Sequence, residues 1–116
     1  MSDPEQKQRE VCLKYGAEFS PSRPSEKVGI ALHTLSQKPL NALRHPSQGD
    51  TCGWYIWGGI ELLRASDFFK PLHVKHLDAE CPEIIPFLGL APGWRVLIAG
   101  ENTDVWYDKS LLHIEV

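Results

Sequence analysis

Residues 51–61, Thr51-Cys52-Gly53-Trp54-Tyr55-Ile56-Trp57-Gly58-Gly59-Ile60-Glu61, set two tryptophans, a tyrosine and an isoleucine in consecutive positions with glycine on both sides. Aromatic and β-branched side chains suit a pleated, partly buried surface, and the glycines mark the ends of such a segment, so it reads as a strand. Alternation sends Trp54 and Ile56 to one face and Tyr55 and Trp57 to the other. One face meets the core. The second needs helix cover or a partner, so at most one of the two tryptophans is free to meet another molecule.

Upstream of this strand, VGIALHTL (28–35) and PLNALRH (39–45) are short apolar runs separated by Ser36-Gln37-Lys38-Pro39, the spacing of two strands joined by a turn or small loop. Pro46 to Asp50 is a second turn cluster. Downstream, Ser66-Asp67 before Phe68-Phe69 resembles a helix start or tight turn, limited by Pro71. Leu77, Cys81, Ile84, Ile85 and Leu88 then recur at the spacing of one helical face, interrupted by Pro82 and Pro86. The pattern predicts a kinked helix, or a turn and a short helix from near Pro82 to about Gly89. WRVLIAG (94–100) and DVWYDKSL (104–111) predict a hairpin with Glu101-Asn102-Thr103 near its tip.

The chain opens on a helix signal. Asp3 can cap, Pro4 suits the first helical position, and Val11, Tyr15 and Phe19 repeat at four-residue spacing, while Gly16 ends or loosens the helix. Proline-dense residues 20–25 follow. The expectation is one domain over 1–116, with a helical arm at 1–20 and a body at 27–116. Its fold class is α+β: an antiparallel sheet of about five strands carrying one or two short helices, plus the N-terminal helix.

The chain has 116 residues, 42% of them hydrophobic and 23% charged, which places it with self-supporting folded domains and away from disorder. There is no apolar run of bilayer length, and residues 1–10 are polar, so a membrane partner is not expected and a cytoplasmic location is. Three widely spaced cysteines, Cys12, Cys52 and Cys81, fit reduced packing thiols better than a disulfide framework. The formal net charge is −3, and residues 50–116 hold ten acidic side chains against five basic ones. Nucleic-acid binding needs a basic footprint, which is missing; a basic protein partner fits the balance better.

Two constellations have residue types that do chemistry. His73 and His76 lie three apart with Cys81 further on, at most three ligands for a metal and without a recognised spacing. Cys52, His45 and Asp50 have the types of nucleophile, base and orienting carboxylate. Each is more simply read as packing or solvated side chains, and Gly58-Gly59 and Gly89 to Gly93 match no phosphate-loop pattern. No cofactor is expected.

In this order, GIALHTL, PLNALRHP, CGWYIWGG, DFFKPLHVKHL, CPEIIPFLGLAPGWRVLIAG and DVWYDKSLL resemble the immunity protein 33-like family, small bacterial domains found near polymorphic toxin genes. The resemblance runs from about Val28 to Leu112 and leaves the N-terminal helix outside. It implies a protein without catalytic activity that neutralises a cognate toxin by binding it.

Three readings follow. The first is an immunity-type binding protein whose partner contacts include Trp57, Asp67, Asp104, Trp106 and Asp108, aromatic anchors with a carboxylate rim. The second is a small metal-dependent or thiol hydrolase using His73, His76 and Cys81, or Cys52 with His45. The third is a homodimeric structural protein that buries its aromatic patch against its own copy.

Overall fold

The computed structural model describes residues 4–59 and 69–112. Along the chain these form α1 (Pro4–Tyr15), β1 (Lys27–Ile30), β2 (Leu40–Arg44), β3 (Thr51–Gly58), β4 (Lys70–His73), α2 (Leu77–Glu80), β5 (Trp94–Ala99) and β6 (Asn102–Tyr107). Short 3-10 turns occupy Leu32–Thr34, Val74–His76, Pro82–Phe87 and Lys109–Leu112. Among the described residues the strands form one sheet in the order β4-β1-β3-β2-β5-β6, an α+β architecture.

The sheet differs from the sequence expectation in two respects. It has six strands, and β1 runs parallel to β3. The runs at 28–35 and 39–45 are strands as read, but they are not neighbours. After β1 the chain turns through Leu32–Thr34 and returns as β2, leaving a slot into which the aromatic strand β3 inserts. There β3 pairs antiparallel with β2 and parallel with β1. The additional strand is β4, whose Pro71 lies opposite Gly29 at the sheet margin, where a missing N–H is tolerated. The helix start read at Ser66-Asp67 lies outside the described residues.

One face of the sheet carries the main core. Trp54, Ile56 and Cys52 of β3 are fully buried with Val28, Ile30, Leu40, Ala42 and Val96. Opposite them pack Leu77, Cys81, Ile84 and Leu88, the face that the sequence spacing marks out. That segment is broken as its prolines require. α2 ends at Glu80, Cys81 takes an extended φ of −154°, and Pro82 restarts the chain as a 3-10 turn.

Helix α1 packs on the same layer. Its Cys12 is buried in the main core and donates from Sγ to the Gly89 carbonyl (3.4 Å), and Gln8 donates to Ile85 O (3.0 Å). Gly16, at φ +72°, ends the helix, and Ala17 N–H donates back to Cys12 O (2.8 Å), the reach of a Schellman cap. The hairpin of β5 and β6 is tighter than expected. Its loop is Gly100-Glu101 alone, because Asn102 pairs with Ala99 and Thr103 with Ile98. Glycine at the first loop position with φ +62° is the requirement of a type II′ turn.

Candidate functional site

Ladder pairing builds the opposite face of the sheet row by row. Gly29 of β1 pairs with Tyr55 of β3, Tyr55 with Leu43 of β2, Leu43 with Arg95 of β5, and Arg95 with Trp106 of β6. The next row runs from Trp57 through Asn41 and Leu97 to Asp104. Residues paired across a ladder share a face. Trp57, Asp104 and Trp106 therefore lie on the side of the sheet away from α1, and Asp108, two residues beyond Trp106, continues their line.

At the β1–β3–β2 end this face is aromatic. The Tyr55 ring meets His45 at 5.5 Å and Phe69 at 5.2 Å, edge to face, and Phe69 meets Trp57 at 6.1 Å. Gly29 makes room for the Tyr55 ring, since a Cβ there would stand 2.7 Å from a ring carbon. Trp57, 4% exposed, forms a small second core with Ala31, Leu43 and Leu111. Beside it a cavity of about 250 Å³ is walled by Leu43, His45, Gly53, Tyr55, Trp57 and Phe69 among others. Gly53 has no alternative residue at this wall: its φ is +95°, and a Cβ would fall 1.9 Å from His45 O.

At the β5–β6 end the face is charged and more open. Trp106 is 39% exposed and lies under the Arg95 guanidinium at 5.4 Å. Arg95 also donates from Nη1 to Asp108 Oδ2 (3.2 Å). Asp108 accepts from the backbone and hydroxyl of Ser110 as well, and these bonds, with Arg95, hold its carboxyl below the usual range. Asp104 is exposed. Both tryptophans of β3 are buried, so the exposed indole of this face belongs to β6. Asp67 lies outside the described residues.

The two chemical constellations are not assembled. Cys52 points into the main core, while His45, whose N–H bonds Gly53 O across the ladder, faces the other side of the sheet. His45 Nδ1 meets Leu111 O at 2.9 Å, and Asp50 is paired with Lys27 at 2.9 Å rather than with the histidine. His73 and His76 rings are neighbours at 6.2 Å, but Cys81 is buried in the core, where desolvation pushes its thiol up to about 11. Among the described residues no group of three His, Cys, Asp or Glu side chains is placed to hold a metal ion. No described helix is long and apolar enough to cross a membrane.

Arg44 is absent from the sequence candidates. It is 2% exposed, stacks 5.7 Å from the Trp54 ring, and donates to the carbonyls of Cys52 (2.9 Å), Ser20 (2.6 Å) and Leu90 (2.7 Å). The signal was present: in PLNALRH the period of two puts Arg44 on the face of Leu40 and Ala42. It ties β2 to β3, to the loop after α1 and to the turn at Leu90 beneath the candidate face.

A family model, the Imm33-like domain, matches residues 7–108. The match begins inside α1, so the N-terminal helix is part of the shared domain and not outside it. No curated protein and no solved structure matches the chain.

Proposed function

We propose that this chain, which belongs to the Imm33-like domain family, is an immunity-type protein that neutralises a cognate bacterial toxin by direct contact in the cytoplasm, without catalysis. The family supplies the immunity role in general terms. The observation that carries the reading to particular residues is the shared face: Trp57, Asp104, Trp106 and Asp108 line one side of the sheet, with an aromatic cavity at one end and an exposed indole flanked by carboxylates at the other.

Such a face has the composition of a binding surface, aromatic anchors within a charged rim. Trp106 is the exposed anchor. Trp57 acts from below by fixing Phe69 and the cavity wall. Asp104 supplies an exposed carboxylate to the rim and Asp108 one already paired with Arg95, and the net charge of −3 favours a basic toxin through complementary fields.

The test is capture of the neighbouring gene's product by the purified protein. Wild type is expected to retain it, and Trp106→Ala to weaken retention roughly tenfold or more while the melting temperature stays in place. Capture of nothing by wild type removes the reading; equal capture by Trp106→Ala removes its assignment to this face.

A further inference from the structure

The two margins of the sheet are built differently. β4 is four residues long and carries Lys70 and Pro71, features that discourage strand addition. β6 is six residues long, has neither proline nor glycine, and keeps an unbroken register with β5 from Asn102 to Tyr107. Among the described residues no strand pairs with its outer side.

Which backbone groups face outward follows from the ladder. Asp108 N–H donates to Gly93 O, so the hydrogen-bonded pairs with β5 are those of Asp108, Trp106, Asp104 and Asn102. Antiparallel pairs alternate. Thr103, Val105 and Tyr107 therefore turn their N–H and C=O groups away from the sheet. Trp106 and Tyr107, 39% and 49% exposed, flank this row of donors and acceptors on the two sides of the strand.

We propose that β6 is a docking edge onto which an extended, basic segment of the toxin adds as a further strand. The inference rests on the toxin-binding reading and names its docking element. Main-chain bonds to Thr103, Val105 and Tyr107 provide the pairing. Side chains of the incoming strand that fall on the candidate face meet the exposed Asp104 carboxylate and, beside it, the Trp106 indole and Asp108 carboxylate that Arg95 already engages, so the position opposite Asp104 is the one suited to a lysine or arginine. The acidic loop residue Glu101 extends the same charge. A second copy is the poorer occupant. Two β6 strands centred on Asp104 set carboxylate against carboxylate, and the register centred on Val105 leaves each Asp104 opposite an indole.

The experiment titrates isotope-labelled protein with a blocked peptide of alternating lysine and valine and follows backbone amide signals. Controls are the same peptide with glutamate for lysine, and the lysine peptide N-methylated at alternate residues. The lysine peptide is expected to shift the amides of Thr103, Val105 and Tyr107, and both controls to leave them in place. Two variants keep the ladder to β5. Thr103→Pro removes an outward N–H only, and Asp104→Lys reverses an exposed charge; each is expected to weaken the peptide roughly tenfold. The proposal is overturned if those amides do not move at millimolar peptide or move equally with either control. It is equally overturned if they move on concentrating the protein alone, which assigns the edge to a second copy. Because the peptide is independent of the toxin, failed toxin capture with a positive titration counts against the immunity reading and not against the edge.

Discussion

Arg44 carries a guanidinium into the core and is answered by carbonyl oxygens, which is an expensive arrangement unless every donor is used. Burial holds its pKa below the ordinary value, yet an arginine remains charged. Arg44→Leu leaves the buried carbonyls of Cys52 and Leu90 and the part-buried carbonyl of Ser20 without this donor, and chemical denaturation should show a loss of about 3 kcal/mol. A loss under about 1 kcal/mol would mean that the carbonyls find other donors. Cys81 gives a second residue-scale expectation, in pH. Its thiol is raised by burial from an ordinary 9.0 to about 11, so the folded state keeps a proton that the unfolded state releases. Stability is then fully present below pH 9.0 and falls as pH rises toward about 11. Cys81→Ala should make that alkaline decline shallower; an unchanged slope sends the cause elsewhere. The position of both side chains was legible from period: Cys81 from the spacing of Leu77, Ile84 and Leu88, and Arg44 from Leu40 and Ala42. What the period does not carry is satisfaction, because the carbonyls that accept from Arg44 come from segments as distant as Ser20 and Leu90.

Gly53 sets the behaviour of an element. Between Thr51, which pairs with Lys27, and Tyr55, which pairs with Gly29, β3 has more residues than β1, and the register shifts there. The strand absorbs the excess at Gly53 with φ +95° and a backbone approach to His45 that excludes a side chain. Gly53→Ala should cost about 3 kcal/mol in thermal or chemical unfolding and broaden the amide signals of Tyr55 and Trp57. A variant as stable as wild type, with those signals intact, would show that β3 tolerates another path. Element identity was readable wherever local chemistry dictates it: the aromatic run as strand, the Gly100 hairpin, and the broken helix at Pro82. Pairing was not. The parallel contact of β1 with β3 follows from which strand fills the slot left by the turn at Leu32–Thr34, a long-range choice. β4 was invisible because Lys70-Pro71-Leu72-His73 has no strand alternation, and it becomes a strand only against β1.

At the scale of the molecule, the two faces of the sheet are built differently. The α1 face, with Trp54, Cys52 and Arg44, holds the fold together. The other face brings together Trp57, Asp104 and Trp106, and the ladder explains why they meet: they are distant in sequence but lie in two adjacent rows. The family was legible in the sequence pattern, whereas the difference between the two indoles is one of burial. Trp57 sits beneath Phe69, and Trp106 is the exposed ring. The same division separates the catalytic readings from the binding one, since Cys52 and His45 fall on opposite faces and Cys81 is enclosed away from His73 and His76.

Neutralisation by contact has a stoichiometry. The measurement is residual activity of the purified toxin, the neighbouring gene's product, titrated with this protein. Binding without catalysis predicts a linear fall that reaches its floor near equimolar protein and is reversed when the complex is dissociated. Loss of toxin activity at a small fraction of one equivalent, persisting after the protein is removed, would mean that the chain modifies its target, and would contradict the account.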